Sequence, residues 1–296
     1  MEITFLGTGC MVPTKERNHQ AIFLKYDKWG LLFDCGEGTQ RQLRIAGIKP
    51  SQISKIFLSH WHGDHVLGLP GLLQTISASE YEGKLEIYGP KGTKQRIEYM
   101  LKAFEFDMQI EIEIKEISDK VAYENSRFSI EAYKLNHRIP CYGYNFLEKD
   151  RLRINLDYVR KLGIPDGPVL GRLQSGKDAE WKGKKIKVED ATYVVEGKKI
   201  SFIFDTSLFN GCYEMAESAD LLICEAVYAS GHEEKAEEYK HLTARDAALI
   251  ASNAGVKKLI LTHFSQRYKD ISEIEEDARN YFENIQCAYD FMKVNL

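Results

Sequence analysis

Two short apolar segments, KIFLSH at 55–60 and KLILTH at 258–263, match almost residue for residue, and each ends on a histidine. An apolar run of this length, closed by polar residues, reads as a buried strand. A buried strand that ends on an imidazole delivers it to the edge of a packed layer, where a partner has to satisfy it. The first segment runs on into SHWHGDH, so His60, His62, Asp64 and His65 fall within six residues of a chain with eight histidines in all. A solvated loop has no need of such a cluster, and a packed core does not tolerate it without compensation.

The rest of the chain alternates between the two periodicities. ITFLG (3–7), AIFLKY (21–26), GLLFDCG (30–36), KLEIYGP (84–90), QIEIEIKEI (109–117) and RFSIEAYKLNH (127–137) have strand character, as do KISFIFDTS (199–207) and DLLICEA (220–226). Helices are predicted from Thr39, as cap, to about Ala46, over 69–79, over 93–104, and from His241-Leu242-Thr243 to Ala254. Thr243 and Asp246 have capping-box spacing. This alternation predicts α/β layers rather than a helical bundle or a pure barrel. The repeated strand-plus-histidine suggests two related halves.

One stretch departs from the pattern. Residues 151–199 have few long apolar runs, many Gly and Pro, and 12 Lys/Arg against 7 Asp/Glu, while the remainder carries 28 against 37. The positive charge is therefore local in a chain whose formal net charge is −4, and the segment reads as an inserted arm. With 44% apolar residues the chain can bury a sizeable core. No apolar run approaches the roughly 18 residues of a membrane helix. Six cysteines are scattered without a CxxC pair, and MEITFLGTG reads as a strand entering a turn rather than a signal peptide. Both features predict a reducing, cytoplasmic compartment.

In extended chain His60 and His62 project to one side, Gly63 permits a sharp turn, and Asp64 and His65 then address a second position beside the first. Imidazole and carboxylate together are the donors of a catalytic zinc, manganese or iron site. Structural zinc prefers closed, cysteine-rich tetrahedra, for which no spacing exists here. A cation supplies the charge that a buried Asp64 would otherwise lack.

HWHGDH fits the HxHxDH signature of the metallo-β-lactamase superfamily. FLGTGCMVPTKERN, LLFDCGEGTQRQL, IFLSHWHGDHVLGLPGLL, IYGPKG, YGYNF, GPVLGRLQSGK, FDTS, EAVY, HLTARDAA, LILTHFSQRY and AYDF resemble, in order, the blocks of ribonuclease Z, the tRNA 3′-end endonuclease. The resemblance spans essentially residues 1–296. It implies a four-layer αββα sandwich with a tRNA-binding arm at 148–198. It also implies two divalent cations per subunit, zinc first, with manganese or iron as alternatives. His60, His62 and His137 would hold one cation; Asp64, His65 and His263 the other; Asp205 would bridge. Hydroxide would attack a phosphodiester of precursor tRNA and leave a 3′-hydroxyl on the tRNA. Asp64 would orient the nucleophile, and His241, held by Glu225, would protonate the leaving oxygen. Where the family commonly has a histidine and a threonine flanking this glutamate, the chain has Cys224 and Val227.

Arg172 and Lys177 are the phosphate contacts expected in the arm, and a homodimer is implied by the resemblance alone. Asp34 is either a partner of a metal-binding histidine or a turn cap. Gly7 and Gly9 are expected to serve a tight turn, and His19 and His232 to lie at the surface. The competing readings are another hydrolase of this superfamily, acting on small phosphodiesters or thioesters, and an inactive nucleic-acid-binding homologue. The basic arm and HLTARDAA argue against the first, and the complete ligand set against the second.

Overall fold

Strand alternation decides which layer each apolar residue joins. Along Ala21–Tyr26, Ile22 and Leu24 enter the space between two sheets, whereas Ala21 and Phe23 face helices on the outside. The same division separates Leu31 and Phe33 from Leu32, and Phe57 from Ile56. The computed structural model describes residues 1–79 and 81–296. Its first sheet has the strand order Lys293–Asn295, Glu2–Gly7, Ala21–Tyr26, Trp29–Phe33, Ile53–Phe57, Lys84–Gly89, Glu111–Glu116. The second has the order Ile285–Cys287, Leu259–Thr262, Leu221–Glu225, Lys199–Ile203, Cys141–Glu148, Phe128–Leu135, Val121–Glu124.

The two seven-stranded sheets pack face to face through an aromatic seam. Phe33 stacks on Phe202 with ring centroids 4.1 Å apart, and Phe57 continues the stack to Tyr88. Helices Thr39–Ile45, Leu69–Ser77 and Thr93–Lys102 cover the first sheet through Leu43, Leu72, Ile76 and Ile97. Helices Asn210–Ala216, Ala244–Asn253 and Ser272–Arg279 cover the second through Met215, Ala248, Ala251 and Ile274. The architecture is the αββα sandwich expected from the sequence.

In each sheet four consecutive strands run parallel, and the inner ones are largely buried on both faces while the edge strand Glu111–Glu116 is not. Their carboxyl ends open toward one edge of the sandwich, the usual place for a ligand site. KIFLSH and KLILTH lie in opposite sheets, so their terminal histidines approach the same edge from two sides. Phe128–Leu135 reaches that edge too, because two antiparallel steps through Cys141–Glu148 restore its direction to that of Lys199–Ile203.

Local expectations fare unevenly. The capping box forms: Thr243 accepts from the Asp246 amide at 3.1 Å, and Asp246 accepts from the Thr243 amide at 3.0 Å. Thr39 does not cap its helix. Gly38 takes that place at φ 78°, and the Thr39 hydroxyl instead donates to the Gly36 carbonyl at 2.6 Å. Gly7 answers close packing rather than a tight turn, since a Cβ there would sit 1.8 Å from the His19 carbonyl oxygen.

Between Glu148 and Lys199, antiparallel neighbours in the second sheet, the chain leaves and returns. The Glu148 amide donates to the Lys198 carbonyl at 2.9 Å and closes the base of the excursion. Strands Arg151–Ile154 and Thr192–Val195 pair antiparallel, with helices Leu156–Lys161 and Pro168–Gln174 and the hairpin Ala179–Trp181/Lys184–Ile186 between them. Ile154, Val159, Leu173, Ile186 and Ala191 form a small core of their own there. All six cysteines are free and buried. Among the described residues no helix is long and apolar enough to cross a membrane.

Candidate active site

Seven side chains from four strand ends converge at the open edge. The chain leaves Ile53–Phe57, passes His60 and His62 in extended form, and turns into the helical turn Gly63–Val66. Gly63 starts this turn and is not in the left-handed region, so the sharp reversal expected of it is a helix start instead. That turn swings Asp64 and His65 away from the first pair. His60 Nε2 lies 2.9 Å from His62 Nδ1, and His62 Nδ1 lies 3.2 Å from His137 Nε2. Asp205 Oδ2 faces His60 Nε2 at 3.6 Å. On the other side, Asp64 Oδ2 lies 3.5 Å from His65 Nε2 and 3.4 Å from His263 Nε2. Asp205 Oδ1 lies 3.5 Å from His65 Nε2 and 3.3 Å from His263 Nδ1. One carboxylate thus turns one oxygen to each cluster.

These residues fit a cation pair. The facing atoms His65 Nε2, Asp205 Oδ1 and His263 Nδ1 are fully buried and have no hydrogen-bond partner. Orphaned polar atoms are rare in a folded interior, and three facing one space form a donor set that a cation would satisfy. His60, His62, His137 and Asp205 present donor atoms all within 4.8 Å of one another, and so do His65, Asp205 and His263. Imidazole and carboxylate donors with no closed thiolate cage suit a catalytic rather than a structural ion.

The surroundings orient the rings. Asp34, buried with φ 57°, accepts from His65 Nδ1 at 2.7 Å and from the Ser59 amide and hydroxyl at 2.7 and 2.8 Å. It therefore fixes a histidine and a turn together. His137 Nδ1 meets the Lys240 carbonyl at 3.0 Å, and the Met11 amide donates to Asp64 Oδ2 at 2.7 Å. Met11, Asp34, Lys240 and His263 all have φ near 60°, which non-glycine residues adopt only under tertiary constraint. Sequence reasoning missed Lys240 and Met11. Both act through backbone atoms, which leave no signature in residue type.

His241 and Glu225 sit beside the cluster. Glu225 Oε2 lies 3.1 Å from His241 Nδ1, and its Oε1 accepts the Thr206 amide at 2.8 Å. Cys224 is packed in the core and Val227 in a small apolar group, so the Thr206 amide supplies hydrogen bonding that flanking side chains do not. His19 is buried, not at the surface, with Nε2 3.1 Å from the Met11 carbonyl; His232 is partly exposed. Arg172 and Lys177 are exposed in the basic segment and do not reach this cavity. The cavity is about 650 Å³ and is rimmed by Arg138, Lys235, Arg267, Tyr228 and Tyr239. Arg267 lies over the Tyr228 ring at 5.1 Å and Arg138 over the Tyr239 ring at 5.0 Å.

Charge divides the imidazoles into two groups. Burial pushes His60 and His62 down and His137 down to about 4, so these three are neutral and ready to ligate. Burial also opposes protonation of His65 and His241. At His65 it is outweighed by Asp64, Asp205 and Asp34; at His241, by Glu225 and Asp205, which raise it to about 9. Burial raises Glu225. In the metal-free protein both members of the His241–Glu225 pair hold their protons more tightly folded than unfolded. Stability from His241 is complete below pH 6.5 and fades as pH rises through about 9, and the Glu225 shift has the same sign. The melting temperature of chelated protein is expected to fall over that interval, and to fall less in the double variant His241→Gln/Glu225→Gln. Equal slopes in a calorimetric pH series would refute this.

Comparison with known proteins agrees with the geometry. Residues 1–160 match the family model described as anti-Pycsar protein Apyc1. Over full length, the chain is 41% identical to "Ribonuclease Z" of Microcystis aeruginosa, covering 99% of this chain and 95% of that one. It is 39% identical to "Ribonuclease Z" of Methanothermobacter thermautotrophicus, covering 100% and 97%. Among solved structures, the short form of human tRNase Z superposes with a TM-score of 0.73 at 30% identity, covering 100% of this chain and 99% of that one. YhfI of Bacillus subtilis, described as a metallo-beta-lactamase fold protein, has a TM-score of 0.72 at 17% identity, covering 99% and 98%, and shares the fold. Four-tenths identity sustained from the first strand to the last, on an αββα sandwich, means that this chain belongs to the ribonuclease Z family.

Proposed function

We propose that the chain is a metal-dependent endoribonuclease that removes the 3′ trailer of precursor tRNA and leaves a 3′-hydroxyl on the tRNA. The observation that carries this reading is the convergence of six His/Asp donors around a seventh, Asp205, beside a proton-donor pair, in a chain with full-length ribonuclease Z relatives. His60, His62 and His137 would hold one divalent cation, Asp64, His65 and His263 the other, with Asp205 between them. Such a pair, zinc in the first instance, supplies a hydroxide nucleophile near neutral pH and offsets charge on the phosphoryl oxygens.

The chain's own residues do the rest. Asp64, fixed by the Met11 amide, is placed to orient the nucleophile. Glu225 occupies Nδ1 of His241 and leaves Nε2 for the leaving 3′ oxygen. As the P–O3′ bond breaks, His241 gives that oxygen its proton, and the trailer departs with the phosphate. Arg138, Lys235 and Arg267 surround the cavity with positive charge suited to a backbone phosphate.

Residues 148–198 form the tRNA-binding arm in this reading, supported by their separate core and local positive charge. Arg172 and Lys177 are phosphate contacts there, exposed as such contacts must be. The chain acts in the cytoplasm as a homodimer; that part rests on the family resemblance. The anti-Pycsar match ends at residue 160, before Asp205, Glu225, His241 and His263, and so does not bear on the complete site.

Incubation of zinc- or manganese-loaded protein with a 3′-extended tRNA transcript tests the reading directly. Cleavage at the acceptor end is the expected result, and an intact transcript sinks the proposal. His241→Ala should lower the rate of tRNA cleavage by about 10²–10⁴-fold, the usual worth of a positioned general acid. It should spare hydrolysis of bis(p-nitrophenyl) phosphate, whose leaving group needs no proton. Equal losses on both substrates would assign His241 a structural role instead.

A further inference from the structure

Cys10 is carried to the centre by a device separate from the strand-end ligands. The two-residue strand Gly9–Cys10 pairs in parallel with Phe264–Ser265, the segment that directly follows His263. The Phe264 amide donates to the Thr8 carbonyl at 2.8 Å, and the Gly9 amide to the Asn18 carbonyl at 2.8 Å. The next residue, Met11, donates its amide to Asp64. Cys10 is thus locked between the residues that bear two candidate ligands. Its sulfur, a carboxylate oxygen of Asp64 and a ring nitrogen of His263 lie within 4.8 Å of one another. His263, 1% exposed, turns Nε2 to Asp64 Oδ2 at 3.4 Å and Nδ1, buried with no partner, to Asp205 Oδ1 at 3.3 Å. Among the described residues, Cys10 is the one cysteine in any cluster able to close on a cation.

We propose that Cys10 is a sulfur donor to the cation held by Asp64, His65 and His263, so that the two metal positions are chemically unequal. The inference rests on the two-cation reading above. On ligation the thiol releases its proton to solvent and its sulfur lone pair goes to the cation. One position then offers three imidazoles and a carboxylate. The other offers sulfur as well, and takes thiophilic ions such as cadmium in preference to manganese.

Cobalt(II) is the probe. Chelated full-length protein is titrated with cobalt and followed in the visible and near-ultraviolet. Visible d–d bands report filling of both positions. A sulfur-to-cobalt charge-transfer band should grow with only one of the two equivalents, and should be absent from Cys10→Ala and Cys10→Ser while their d–d bands remain. Cadmium should be bound more weakly by both variants, by at least about tenfold, the lower end of what losing even an outer-shell partner costs. Full d–d bands in the wild type without charge transfer would overturn the sulfur assignment and leave the two-cation reading standing. Failure to take up cobalt at all would overturn both.

Discussion

Asp205→Asn is expected to abolish tRNA cleavage, by at least about 10³-fold, the upper range for losing one electrostatic contact in a water-excluded site. The variant should also lose metal-dependent stabilisation. Asp205 turns one oxygen to His60 and the other to His65 and His263. It is the only one of the seven side chains that belongs to both clusters. Burial works against its ionisation, yet His263, His65 and His60 hold its carboxyl well below the usual range. An amide keeps the shape and removes the charge, so the imidazoles of His60, His65 and His263 are left facing a neutral group. Zinc at a hundredfold excess over its Kd stabilises a folded protein by about 2.7 kcal/mol. The wild type should show that gain as a rise in melting temperature when zinc replaces chelator. Asp205→Asn should show little of it, and a full zinc-dependent rise in this variant would disprove the bridging role.

Replacing residues 149–197 with Asn-Gly is expected to separate substrate capture from chemistry. Leu147 pairs with Lys199, so Glu148 and Lys198 already sit opposite each other, and a two-residue turn can join them without moving the sheet. The excised segment has its own core of Ile154, Val159, Leu173 and Ile186, and leaves the inter-sheet core intact. Hydrolysis of bis(p-nitrophenyl) phosphate and the melting temperature should therefore survive. For tRNA, kcat/KM should fall by about 10³-fold or more, the scale of several lost phosphate contacts, and its salt dependence should flatten. Parallel loss of both activities in a folded variant would argue against a dedicated arm.

The site was legible in the sequence to the extent that its donors are side chains at strand ends. His60, His62, Asp64, His65, His137, Asp205 and His263 follow apolar runs whose strand character could be read locally, and the capping box before Ala244–Asn253 could be read with them. The misread positions have a common cause. Gly38 rather than Thr39 caps the first helix because the chain enters it from a left-handed turn, and Gly7 is small because His19 packs on it. His19 is buried because residues 8–18 are strapped down by Asp290, which accepts from Thr8 and from the Asn18 amide at 2.8 Å each. The contacts at Gly7 and His19 are not local in sequence.

Residue types and their periodicity determined the layers, the strand ends that carry the histidines and Asp205, and the basic insertion, because burial and alternation act over a few neighbouring residues, while the resemblance named those strand-end residues as metal donors. Tertiary structure alone decided that Asp205 stands between two clusters, that Asp34 and the Lys240 carbonyl hold the imidazoles in place, and that Cys10 and Met11 arrive beside Asp64 and His263. Those placements depend on distances between strands of opposing sheets, and a linear pattern carries no such distance.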